Sequence, residues 1–174
     1  MGLPSEWPVL LADHSKAVEE YVTAAERLSG EAWMRPLAAG KWTPAEVTSH
    51  VTEAYRVLRS ELAGTSGMRL LGSRFQRLIL RYTALPGLLR GRPFPAGVRA
   101  PRETRPREVV DDRKVALSTL ADLTETFIQE LTNQAALKDV RLTHAYFGPL
   151  SAHQGLQLLT VHTRHHARQL SSIL

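Results

Sequence analysis

The chain contains no cysteine. That absence removes disulfides, thiolate metal ligands and thiol nucleophiles together, and leaves His, Asp and Glu as the protein ligands open to a metal. Lysine is also scarce, 4 against 18 arginines. No stretch approaches the roughly 18 apolar residues of a membrane-spanning helix. The start, MGLPSEWPVL, lacks a basic segment running into an apolar one. A soluble cytoplasmic protein is therefore expected. With 174 residues, 43% of them hydrophobic, the chain is long enough to bury one core without staples. A single domain over 1–174 is the expectation.

Acidic residues are missing where basic ones collect. The net charge of +5 is concentrated between Arg69 and Arg107, where ten arginines face the single acid Glu103. Such a segment raises the question of nucleic acid, anionic lipid or an acidic protein as partner. The excess of arginine over lysine along the whole chain points instead to compositional bias. The segment also lacks the interleaved aromatics of a single-strand platform, so a nucleic-acid role is disfavoured.

Helical periodicity dominates what remains. Residues 7–28 repeat apolar positions at three- and four-residue steps, and Gly30 is expected to end that helix. A second helix over 44–62 begins at a T-x-x-E capping box, with Thr43 as N-cap, Pro44 in the first turn and Glu46 three residues on. Its apolar stripe, Val47, His50, Val51, Ala54, Val57, Leu58 and Leu62, includes a histidine. Residues 68–82 read as a third helix with arginines along one side, stopped by Pro86 and Gly87. Residues 83–107 hold five prolines and read as a long irregular connection. A fourth helix is expected over 108–134. The last begins at 152, after a Ser151–Gln154 capping box, and the tract HAYFGPLS before it marks a turn at Gly148 and Pro149. Four or five helices with one long crossover and no alternating segment predict an all-α bundle.

The final helix carries His162, His165 and His166 in VHTRHHARQL. His162 and His166 stand four apart on one face, in a stripe with Leu156, Leu159, Leu170 and Ile173, while His165 points about a quarter-turn away. A helix face offers two imidazoles but cannot wrap an ion alone, and His50 is the leading third ligand. Two readings of these residues stay open: hydrogen-bonded core histidines, or a three-imidazole site for a divalent ion with positions left for water or substrate.

At these residues the chain resembles the DinB/YfiT-like metalloenzyme superfamily of four-helix bundles. The resemblance rests on KWTPAEVTSHVTEA, with Trp42 and Glu46 leading to His50, and on HAYFGPLSAHQGLQLLTVHTRHHARQL with its H-x-x-H-H-x-x-Q-L signature. It implies His50, His162 and His166 as the metal triad, bound Zn or Ni, up-down-down-up connectivity and frequent homodimers. The 68–82 stretch offers a face to bury between protomers. The resemblance further implies a small-molecule substrate and a low-molecular-weight thiol cosubstrate, as in thiol-dependent transferases and isomerases of the family. His165 and Gln169 adjoin the ligand face and are candidates for orienting a ligand or metal-bound water. His144 and Tyr146 are candidates for the pocket mouth. Trp42 is expected to pack at the bundle end, and His14 and His153 to lie on the surface. The alternatives are a metal-dependent hydrolase and a non-catalytic metal- or anion-binding protein. No carboxylate in the signature is free to act as acid or base, since Glu46 is a helix cap, and this favours thiol transfer over hydrolysis.

Overall fold

The computed structural model describes residues 5–95, 97–137 and 139–174. Residues 1–4, part of the start read above for a leader, and position 96 of the irregular connection lie outside the described residues. The described chain is mostly helical. Four long helices, α1 (Trp7–Glu26), α3 (Pro44–Leu62), α6 (Arg113–Ala135) and α7 (Ala152–Ser171), are joined by shorter elements. These are α2 (Gly30–Met34), α4 (Arg74–Thr83), α5 (Leu85–Leu89), a 3-10 turn (Arg102–Thr104) and a hairpin of β1 (Arg141–His144) and β2 (Gly148–Ser151).

Helix α1 packs chiefly on α7, and α3 on α6. In α1 the buried Trp7, Leu10, His14, Ala17, Tyr21 and Ala24 follow three- and four-residue steps, so one face meets the core. Trp7, Leu10, Tyr21 and Ala24 join Val47, Val51, Tyr55, Phe127, Leu131, Leu156 and Leu170 in one apolar cluster. Each main helix pair is also clamped by an arginine. Arg164 of α7 bonds Glu20 at 3.0 Å and Asp13 at 2.8 Å on α1. Arg59 of α3 grips Glu130 of α6 through two bonds of 2.8 and 2.6 Å. Partly exposed pairs of this kind contribute about 1 kcal/mol or less each, so apolar burial holds the helices together and the arginines fix their alignment.

Several sequence expectations are corrected here. Gly30 does not end α1; it opens α2, whose N-cap Ser29 accepts from the Ala32 N–H. The third helix starts six residues later than expected, at Arg74, because a Ser73–Gln76 capping box sets its first turn. Pro86 does not stop helical structure but sits in the first turn of α5, where its missing N–H has no partner to lose. The fourth long helix begins at Arg113, after Asp112 caps the Lys114 and Val115 amides, so Val110 packs on the core from a loop. The tract HAYFGPLS is more than a turn: Arg141 pairs with Ser151 and His144 with Gly148 in an antiparallel ladder. Gly148 takes φ +74° there, in the left-handed region glycine tolerates. His14 is not a surface residue. It is buried, its Nδ1 2.9 Å from Thr160 Oγ1 and its Nε2 3.2 Å from the Tyr55 hydroxyl. His153 is half-buried, edge-on to Trp7.

The hairpin presses on α7 at a glycine. A Cβ added to Gly155 would lie 2.7 Å from Leu142 Cδ1 and 2.9 Å from Leu142 Cβ. Gly155→Ala is therefore expected to lower the unfolding free energy by about 1–2 kcal/mol despite alanine's better helix propensity. Urea denaturation followed by circular dichroism checks this, and a stability gain would show that the hairpin yields freely.

Candidate metal centre

The Thr43–Glu46 capping box expected from the sequence is formed, with the Glu46 N–H donating to Thr43 Oγ1 at 3.1 Å and the Thr43 N–H to Glu46 Oε2 at 2.7 Å. It fixes the first turn of α3 and hence the direction in which His50 leaves it, two turns on. The matching Ser151–Gln154 box starts α7. From these two helices His50, His162 and His166 converge, with one ring nitrogen of each lying within 4.8 Å of the others. His50 Nε2 stands 3.0 Å and His166 Nε2 3.1 Å from His162 Nε2.

The outer nitrogens decide what the inner ones can do. His50 Nδ1 lies 2.5 Å from the Thr104 carbonyl, which only accepts, so Nδ1 carries the hydrogen. His166 Nδ1 donates to Gln169 Oε1 at 2.8 Å. Both rings thus present a bare Nε2 lone pair to the centre. A hydrogen on His162 Nε2 can be given to only one of the two rings and leaves the lone pair of the other without a donor. The buried side-chain atom without a partner among the described residues is also here, His162 Nδ1.

This donor set fits a divalent cation. Three neutral imidazoles with inward lone pairs are the ligand type that Zn and Ni accept. Nitrogens sharing a tetrahedral ion at about 2.0–2.1 Å stand roughly 3.3 Å apart, close to the separations found. Holding the other ring nitrogen with a carbonyl or amide oxygen is the usual way a ligating histidine is oriented. His50 and His166 are buried and His162 is half-buried.

Protonation is suppressed throughout. Burial, then the charges of the neighbouring histidines, holds His162 well below the ordinary imidazole value. Burial lowers His50 against the opposing bond to Thr104. It also brings His166 down to about 3.

The other candidates divide. Gln169 is at the centre, bonded to His166. His165 is half-buried beside it, its ring 5.1 Å from His166 and 5.3 Å from Phe94. His144 stacks on Phe147 at 4.7 Å, and its charge is among those that lower His162. Tyr146 donates its hydroxyl to the Arg99 carbonyl at 2.8 Å, clasping the 83–107 segment. Trp42 does more than pack at a helix end, since its ring lies 5.0 Å from that of His50. Sequence reasoning missed two contributors. Thr104 acts through its carbonyl, which every residue possesses, so no signal marked it. Phe94 stands 5.9 Å from His162, and its only signal was an aromatic among prolines.

A family model described as the DinB superfamily matches residues 14–170, a span that includes all three histidines. The chain belongs to the DinB superfamily. Comparison with curated proteins and with solved structures gave no match. Membership and the histidine cluster together support metal binding, and in this DinB protein both tracts that carry the resemblance supply the converging rings.

Neutral buried histidines make stability depend on pH. Burial lowers His14 and His144 to about 4 each, whereas an unfolded histidine titrates near 6.5. Between those values the unfolded chain binds more protons, so stability is complete above about pH 6.5 and falls as pH drops towards 4. Metal-free protein is expected to lose up to about 2 kcal/mol per buried histidine between pH 7.5 and 5. Urea midpoints at the two pH values measure this, and equal midpoints would count against burial of these rings.

Proposed function

We propose that this DinB protein is a divalent-metal-dependent enzyme that activates a low-molecular-weight thiol for S-transfer to, or isomerisation of, a small molecule. The observation that carries the reading is the convergence of three Nε2 atoms, two with their Nδ1 hydrogens already committed. His50, His162 and His166 would hold Zn or Ni. When bound, such an ion lowers the pKa of a thiol or water at its open position and so supplies a nucleophile at neutral pH. The chain's own part is positioning. Thr104 and Gln169 fix two rings, Trp42 covers His50, and Phe94 packs edge-on to both His162 and His165. The same reading takes α1, α3, α6 and α7 as an up-down-down-up bundle forming one cytoplasmic domain.

Hydrolysis is the weaker alternative because α3 offers no free base near His50. Glu46 is bonded to the Thr43 amide, and the buried Glu53 is held by Arg56 at 2.6 Å.

Elemental analysis of untagged protein should find near-stoichiometric Zn or Ni, lost in His50→Ala, His162→Ala and His166→Ala with helical content retained. Metal-free wild type after reconstitution would return these rings to the role of core histidines. Gln169→Ala removes only the support of His166 and should weaken metal affinity by about 10–100-fold, read by competition with a chromogenic chelator. Turnover lost in His162→Ala with the fold intact identifies an enzyme, whereas loss of stability along with the metal identifies a structural site.

A further inference from the structure

Helix α4 buries none of its residues, unlike each of the four long helices. Phe75 is 69% exposed, Leu78 51%, Ile79 44% and Tyr82 74%. Their spacing of three, four and seven residues places them on one stripe. At 100° per residue, Arg74, Arg77 and Arg81 run along one edge of that stripe.

The helix is held in this orientation. Its capping box is complete, with Ser73 accepting from the Gln76 N–H and Gln76 from the Ser73 N–H. The Leu71 N–H donates to the Ala145 carbonyl at 2.9 Å, and Arg81 donates to the Pro149 carbonyl at 2.6 Å, fastening both ends to the hairpin. Leu80, on the inner side, packs against the small apolar cluster of Leu85, Leu88, Phe147, Leu150 and Leu158. An open groove of about 410 Å³, lined in part by Leu71, Ile79, Leu80 and Tyr146, runs beside it.

Charge selects the occupant. Between Arg69 and Arg107 ten arginines face one acid, while the rest of the chain carries 12 basic and 16 acidic residues. Among the described residues only Arg107 of these ten approaches a carboxylate, Glu53 at 4.0 Å. We propose that α4 docks on an anionic lipid bilayer, the apolar stripe entering the headgroup boundary and the arginines meeting lipid phosphates. An amphipathic helix of this composition binds by buried apolar area plus attraction to anionic lipid. Nucleic acid would engage the arginines and leave Phe75, Ile79 and Tyr82 in water. A second copy packed across the stripe would bring two strongly positive segments together with no carboxylate on α4 to offset them.

The test is co-sedimentation of the full chain with vesicles of phosphatidylglycerol and phosphatidylcholine, against vesicles of phosphatidylcholine alone. Binding is expected to the anionic vesicles only, and to weaken as salt is raised. Arg74→Gln should lower partitioning about fivefold. The double variant Phe75→Asp/Ile79→Asp should lower it by roughly tenfold or more, with its circular dichroism unchanged. Absence of vesicle binding, or binding indifferent to the double variant, overturns the proposal. So does a dimer in lipid-free sedimentation velocity that the double variant dissociates, which gives the face to a second copy. Duplex DNA bound more tightly than the vesicles, with the double variant unaffected, overturns it in favour of nucleic acid.

Discussion

With His50 Nδ1 bonded to a main-chain carbonyl and His166 Nδ1 to Gln169 Oε1, two imidazoles are left with lone pairs aimed at a third ring and nothing in the protein to neutralise all of them. An apolar bundle would fill these positions with leucine. Histidines there are tolerable only if each nitrogen finds a partner. The surrounding structure serves that requirement for two of the rings: capping boxes set the starting angles of α3 and α7, arginine clamps align the helix pairs, and the 3-10 turn brings a carbonyl to His50 while α7 itself supplies Gln169 to His166.

A second polar layer lies in the same interior. Tyr55 bonds both His14 and Thr163, at 3.2 Å each, and Tyr21 bonds Thr48 at 2.7 Å. Burial raises Tyr55 to about 12 and lowers His14, so both groups stay neutral at physiological pH. These bonds join α1, α3 and α7 through side chains whose directions are fixed. Such networks are worth more for specifying one arrangement of helices than for net stability.

Much of this was legible in the sequence because its signals are local. The capping boxes at Thr43 and Ser151, the buried stripe of α3 and the four-residue spacing of His162 and His166 are each set by residues within one or two turns. The hairpin escaped because its strands are four residues long and hold a proline, with too few alternating positions to register. His14 escaped because its partners, Thr160 and Tyr55, lie 146 and 41 residues away. The expected extent of the third helix failed for a different reason: Met68 and Leu71 continue the apolar periodicity, but Ser73 caps the helix by accepting from the Gln76 N–H.

The 83–107 segment meets the centre through the Phe94 ring and, by hydrogen bond, through the carbonyl of residue 104. That acceptor belongs to the backbone and survives any change of side chain, so substitution at 104 leaves it in place. What His50 depends on is loop length and path: the turn from Arg102 to Thr104 sits between Pro101 and Pro106, which restrict the chain on either side. An insertion or deletion anywhere in this segment would therefore reach the imidazoles more directly than a point substitution beside them.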